Sequence, residues 1–556
     1  MTSGQRYMPG LDGLRALAVL AVIAYHEQFG WAPGGLLGVG VFFTLSGFLI
    51  TGLLVSQWNA EGRIALGTFW LHRARRLLPA LFVMLAVVTA WVTLADRARL
   101  GALRDSVTAA VGYYSNWYLI IKNQSYFARF APPAPLDHLW SLAVEEQFYL
   151  LWPLLLLGAL FLLRRRKGAV AWLIVPTGLL AAASAAAMWA WYVPGLDPTR
   201  VYEGTDTRAF GLLVGAMLAL AWPAAGQRGA HRAAAPRIPA KLAAPLIDVA
   251  GLAGLIVIVV LIWRVSEYSP FSYRGGLVLL SVATVAVVAA TAVPGTLVGR
   301  ALGWAPLRWI GVRSYGIYLW HFPVIVLTTR PNAKPAPVEA IGQIAASVLL
   351  AALSWQFIEE PIRHGAIGRA WARLRASGLR DRLAQTTVGG AAAAAGTFGV
   401  VVIAAAGLAG AIRAPGGTGV GLVSEGSLPL PMTRTVVVAP PRDGIPRRNT
   451  TTGTSQPTGP LRTSCRGVAH IGDSTSDGLI SPEYLPKPGE RITARYEAVG
   501  VHTVVTDISG ARSVVEVLPG QVNGYDAARA SPPPRVRGCW GVAFGTNTNP
   551  HAADSS

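Results

Sequence analysis

Charge is scarce in this chain: only 14% of its 556 residues are Asp, Glu, Lys or Arg, against about 25% in an ordinary soluble domain. Acidic residues are the scarcer sign, 28 against 48 basic ones. Cysteine is nearly missing, with two residues in all, which excludes a disulfide-rich scaffold though not a single bridge. Apolar residues fill the difference. They make up 52% of the chain, give a mean hydropathy of +0.43, and gather into repeated runs near bilayer-spanning length. An ordinary soluble fold is excluded, and an all-α polytopic membrane domain is expected. The formal charge of +20 does not indicate a nucleic-acid partner. The basic residues fall mostly in short segments between apolar runs, as the positive-inside bias requires. The first run is long and carries polar residues, so no cleavable signal peptide is expected. No repeat at solenoid periods is present.

Apolar runs fall at about 11–29, 37–57, 78–95, 139–163, 169–193, 208–222, 245–263, 273–293, 309–329 and 339–358, with a further run at 391–412. With a cytoplasmic N-terminus, the basic clusters at Arg73/Arg75/Arg76, 164–167, 228–241, Arg308/Arg313 and 363–382 all fall inside. That pattern requires the segment 105–121 to be interfacial or re-entrant rather than crossing. The expectation is ten helices plus one extra helix in the plasma membrane, with the C-terminal region outside the cytoplasm. Residues 364–390 read as a basic cytoplasmic linker and 391–412 as the extra helix. Residues 413–460, rich in Pro, Gly and Thr without a sustained apolar period, read as a flexible linker. From 461 to 556 the strand-like runs GVAHIG, TVVTDISG and CWGVAFGTN suggest a partial α/β domain with a parallel sheet.

Arg15 and His26 are the most informative pair. Eleven residues bring a helix back to within about 20° of its starting face, so the two side chains share a stripe about 16 Å long. Ionisable groups in a spanning helix are costly and face a protein interior or polar cavity. A cation and a titratable base on one stripe therefore suggest a site that crosses much of the bilayer. Read alone, His26 also fits a histidine bonded to a neighbouring helix.

The segments RALAVLAVIAYH, GGLLGVGVFFTLSGFLIT, FWLHRARRLLPA, DHLWSLAVEEQFYLLWP, SYGIYLWHFPV and FIEEPIR follow one another in this chain. Together they resemble the acyltransferase-3 family of integral membrane acyltransferases, over about residues 6–363. The resemblance implies O-acylation of extracytoplasmic glycans, with Arg15 and His26 essential to transfer. Near-neutral titration suits His26 to take a proton from an acceptor hydroxyl. Arg73 and Arg76 match the family's Arg-x-x-Arg motif. Guanidinium groups three residues apart share a helical face and can grip phosphate oxygens, here of a cytoplasmic acyl-coenzyme A, acetyl-coenzyme A in the simplest case. Setting topology is the alternative role for such positive charge, and Arg75 fits that role better.

Asp137, His138 and Ser141 open the helix at 139–163 and are candidate acceptor-side groups, although helix capping explains Asp137 adequately. Glu145 and Glu146 lie too deep for capping. One of them, Glu146 being the candidate taken forward, would orient His26 or pair with Arg15. Asp206 and Arg208 are acceptor-side contacts or an external ion pair. His321 reads as a structural hydrogen-bonding residue. No permanently bound cofactor or metal is implied, since the acyl-coenzyme A is a substrate.

VAHIGDSTSDG resembles the first block of SGNH hydrolases, with Ser474 at the nucleophile position. SGARS places Gly510, and GTN places Asn547, like the second and third blocks. The resemblance implies an oxyanion hole from Ser474, Gly510 and Asn547. No Asp-x-x-His segment follows Asn547, Thr548 replaces the usual Asp, and His551 and Asp554 stand in reversed order. A serine without a positioned base is a weak nucleophile, so the module reads as truncated and inactive. Cys465 and Cys539 each begin an expected strand, and an oxidising exterior favours a bridge between them. Two other readings compete with membrane acyl transfer. One is a transporter of acyl groups or glycan, for which no inverted repeat is evident. The other is a membrane-anchored SGNH-type esterase, against which the missing Asp-x-x-His stands.

Overall fold

A computed structural model describes residues 7–122, 124, 133–194, 197–221, 240–329, 336–366, 368–369, 388–411, 435–438, 467–472, 476, 479–480, 487–508 and 539–543. The chain divides into two units, Met1–Pro415 and Gly416–Ser556.

The first unit is helical. In order it contains α1 (Pro9–His26), α2 (Gly38–Glu61), α3 (Leu66–Ala95), α4 (Leu100–Val111), α5 (Ser115–Ile121), α6 (Trp140–Leu162), α7 (Ala169–Trp172), α8 (Ile174–Trp191), α9 (Thr199–Glu203) and α10 (Thr205–Ala221). It continues with α11 (Ala240–Arg264), α12 (Leu277–Ala292), α13 (Leu297–Leu302), α14 (Ala305–Val312), α15 (Ser314–Thr328), α16 (Pro337–Ser354), α17 (Glu360–Arg363) and α18 (Val388–Leu408). Among the described residues, seven helices are long and apolar enough to cross a membrane, or eight if α14 and α15, bent by 68°, form one span. These are the helices of a multi-pass membrane protein, but they are fewer than the ten expected. α1 carries Asp12 and Arg15 at one end and His26 at the other, which shortens its apolar stretch, and α10 has only 17 residues. The segment 105–121 falls on α4 and α5, separated by a turn in which Tyr113 has a φ of +53°. Neither helix reaches the roughly 20 residues that a crossing needs.

Small residues let the helices around α2 approach closely, as membrane packing favours. A Cβ at Gly47 would overlap the Leu212 carbonyl of α10, and one at Gly215 would overlap the Thr44 carbonyl of α2. Backbone cannot yield as a side-chain tip can. Gly47→Val should therefore cost about 1–3 kcal/mol or more and lower the melting temperature in detergent. Gly52→Ala, whose new methyl would meet only Ala219 at 4.0 Å, should leave it unchanged. On α11, the carboxylate of Asp248 accepts from Leu297 N at 2.6 Å and Val298 N at 3.0 Å. It thus satisfies two of the donors that open α13. α18 lies against α3 and α4, with Arg104 Nε donating to Gly407 O at 3.0 Å.

The second unit has a four-stranded sheet, order β1-β3-β2-β4, from β1 (Thr435–Val438), β2 (Gly467–Gly472), β3 (Thr503–Ile508) and β4 (Cys539–Ala543). β2 pairs parallel with both β3 and β4, as the three sequence runs suggested. β1 is antiparallel to β3 and lies inside the segment expected to be all linker. Its four residues, TVVV, are too few to register as a period, yet they are β-branched and suit an edge strand. Among the described residues the helix α19 (Ile492–Ala498) follows β2. His470 on β2 is buried, with Nδ1 2.9 Å from Tyr496 Oη and Nε2 3.0 Å from Ser476 Oγ, and burial pushes its pKa down. Ser474, Gly510, Asn547 and Cys465 lie outside the described residues, as does the side chain of Cys539.

Candidate active site

The site is built on α1, α2, α3, α6 and α15. Pro9 opens α1, where its missing N–H costs nothing. Arg15 lies within this helix, with Nη1 3.9 Å from Asp12 Oδ1. On α3, Arg73 and Arg76 sit three residues apart and turn inward together, while Arg75 is exposed. Tyr315 of α15 joins the same layer and donates to Leu77 O at 2.8 Å.

Arg15, Arg76 and Tyr315 line two cavities at once. One, of about 200 Å³, opens toward the start of α1 and is walled by Tyr7, Trp355 and Arg363. The other is a narrower cleft of about 90 Å³ that holds Arg73, Ser46, Glu145, Glu146 and Tyr149 and reaches Ser141 and Tyr318. Within it Glu145 Oε1 accepts from Ser46 Oγ at 2.9 Å, and Tyr149 Oη donates to Ser46 Oγ at 3.0 Å. The Arg73 guanidinium lies 5.4 Å from the Tyr149 ring centre.

Beyond Ser141 and Tyr318 comes a cluster of buried imidazoles. Tyr318 Oη donates to the His138 carbonyl at 2.7 Å and contacts Ser141 Oγ at 2.6 Å. That carbonyl uses the phenol proton, so Ser141 is the donor of the pair. His138 is fully buried, and its ring centre lies 5.6 Å from that of His321. His321 Nδ1 lies 2.7 Å from Tyr318 O, and its Nε2 lies 3.0 Å from His26 Nδ1. A carbonyl only accepts, so neutral His321 carries its proton on Nδ1 and offers a lone pair at Nε2. His26 then donates from Nδ1, which leaves the lone pair of its own ring on Nε2. The geometry thus sets His26 in the tautomer a base requires.

The family profile described as acyltransferase domain (acyltransferase-3) matches residues 8–356. The chain belongs to the acyltransferase-3 family.

Among curated members, a protein named peptidoglycan O-acetyltransferase OatA from Listeria monocytogenes is 46% identical over 361 residues, covering 65% of this chain and 56% of that protein. One named putative peptidoglycan O-acetyltransferase YrhL from Bacillus subtilis is 44% identical over 364 residues, covering 65% and 56%. A putative O-acetyltransferase from Staphylococcus aureus is 38% identical over 369 residues, covering 65% and 58%. The chain thus spans little more than half the length of the curated relatives it matches. No solved structure matches.

The residues this acyltransferase-3 chain was expected to use divide into three groups. Arg15, Arg73, Arg76, Ser141 and Glu146 line the paired cavities, and the rings of His26 and His138 each pack against that of His321. The partner of His26 is His321 rather than a glutamate. Glu145 and Glu146 stand two turns along α6 from His138, level with the arginines instead. Sequence reading assigned His321 a structural bond without finding its partner, because 295 residues separate the two rings.

Asp137 closes a turn, accepting from Ala134 N at 2.8 Å. Asp206 pairs with Arg200 through two contacts of 2.7 and 3.0 Å, so the expected Asp206–Arg208 pair does not form. Two residues apart on α10, those side chains point about 200° apart. Arg208 turns inward, 1% or less exposed, between the rings of Phe43 and Tyr202. Among the described residues none of its guanidinium nitrogens has a hydrogen-bond partner, and no group of three or more His, Cys, Asp or Glu side chains is arranged to hold a metal ion.

Proposed function

We propose that this chain is a membrane O-acetyltransferase that moves an acetyl group from cytoplasmic acetyl-coenzyme A to a hydroxyl of an extracytoplasmic glycan. The names of the relatives make peptidoglycan the leading acceptor. One observation supports the reading: α1 holds Arg15, in the cavities it shares with Arg76, and, about 16 Å further along, His26, whose Nδ1 meets His321 Nε2. The phosphopantetheine arm of coenzyme A has a comparable reach.

The phosphates engage Arg73 and Arg76, whose forked N–H groups match phosphate oxygens. The acetyl thioester lies along the cleft toward His26. There His26 Nε2 takes the proton of the acceptor hydroxyl as its oxygen attacks the thioester carbonyl. The carbon–sulfur bond breaks, the coenzyme leaves as thiolate and is protonated, and His321 holds the His26 ring throughout. The donor is a substrate of each turnover rather than a resident cofactor.

Sidedness tests this reading. In proteoliposomes of defined orientation, acetylated acceptor should form when acetyl-coenzyme A is on the Arg73 side and a soluble glycan acceptor is on the other. Product formed only when donor and acceptor share a compartment would refute the cross-membrane delivery.

A further inference from the structure

The 200 Å³ cavity at the start of α1 shares Arg15 and Arg76 with the cleft above, and it is also lined by Glu359, Glu360 and Arg363 of the FIEEPIR segment, to which no role has been assigned. α16 does not run straight into α17. A π-turn, Trp355–Glu359, intervenes, and such wide turns occur often at functional sites. The turn leaves Trp355 on the cavity wall, its ring held by the Arg313 guanidinium 4.4 Å from its centre. Glu359 is buried, bonded to Ser354 Oγ at 3.3 Å, and Pro361 at the start of α17 sets Glu360 and Arg363 at the rim.

Three chemistries therefore converge in one small space. Trp355 offers an aromatic face, Glu359 and Glu360 offer acceptors, and Arg363 with Arg15 and Arg76 offers cations. The arginine ion pairs described here are loose: Arg363 Nη1 is 3.8 Å from Glu360 Oε2, and Arg15 Nη1 is 3.9 Å from Asp12 Oδ1. Both exceed hydrogen-bond length, so these N–H groups remain available to an incoming anion. A purine ring stacks on an aromatic face and donates from its amino group, and a phosphate takes arginine forks. The space is large enough for a purine ring but far too small for a whole coenzyme.

We infer that this cavity receives the 3′-phosphoadenosine end of coenzyme A, with Trp355 against the adenine and Arg363 on the 3′-phosphate. The inference rests on the donor assignment above and extends it. Arg73 and Arg76 keep the pyrophosphate, and the pantetheine arm leaves past Arg15 into the cleft. Trp355 and Arg363 then determine preference for the complete coenzyme over shorter thioesters.

The test uses the full chain in detergent and calorimetric titration with coenzyme A and 3′-dephospho-coenzyme A. The wild type should bind coenzyme A at least about tenfold more tightly, as expected for one charge-assisted contact. Arg363→Ala should remove that preference without changing affinity for the dephospho form, and Arg363→Lys should restore part of it. Trp355→Ala should weaken both ligands alike. Equal affinity of the wild type for the two ligands, or an Arg363→Ala effect that is absent or the same for both, overturns the inference while leaving the donor assignment standing. Failure of the wild type to bind either ligand would remove the donor assignment as well. Melting temperatures of each variant separate lost binding from lost folding.

Discussion

His26→Ala should abolish most acetyl transfer, with a loss of about 10²–10⁴-fold in kcat, the range a positioned acid–base group supplies. KM for acetyl-coenzyme A should hardly move, because His26 lies about 16 Å along α1 from Arg15. The His26–His321 couple makes the expectation sharper. His321→Gln keeps a carbonyl that can accept from His26 Nδ1 and should retain more activity than His321→Phe, which offers no acceptor. The expected order is wild type, His321→Gln, His321→Phe, His26→Ala. In the wild type the rate should also fall on the acid side, as protonation occupies the Nε2 lone pair. Steady-state kinetics on purified protein across pH would show both effects. A fully active His26→Ala protein would remove the base, and with it the mechanism.

The largest effect on binding should come from replacing Arg73 and Arg76 together. Under the proposed donor assignment each arginine would make charge-assisted contacts worth about 1.5–3 kcal/mol, so the double alanine variant should bind acetyl-coenzyme A at least about a hundredfold more weakly. The loss should appear in KM and in direct titration, with kcat at saturation affected much less. Arg75→Ala is the internal control: its side chain is exposed and outside both cavities, so donor affinity should stay at the wild-type value. Unchanged affinity in the double variant would mean that these arginines only set topology.

Glu145 and Glu146 show what was legible in the order of residues and what was not. Their depth within α6 marked them as more than capping groups, because a carboxylate two turns into an apolar helix needs a purpose. Which partner they would find was not readable. The structure gives Glu145 a serine and a tyrosine, Ser46 and Tyr149, and gives His26 another histidine. Asp206 and Arg208 show the opposite case. Nearness in sequence suggested an ion pair, and helical rotation separates the two side chains. Arg200, six residues from Asp206, became the partner instead, because the turn between α9 and α10 brings it round.

Periodicity, charge and spacing by themselves determined that this chain crosses a membrane many times, that Arg15 and His26 share a helix, and that Arg73 and Arg76 face one way. All of these are properties of a single segment in a known solvent, and a helix has one geometry. Only the tertiary structure decided that the arginine layer opens into two cavities, that His321 sets the ring of His26, and that Trp355 and Arg363 line the cavity at the start of α1. Those are meetings between segments far apart in the chain. They depend on which helices pack together and at what height, and no local period records that choice.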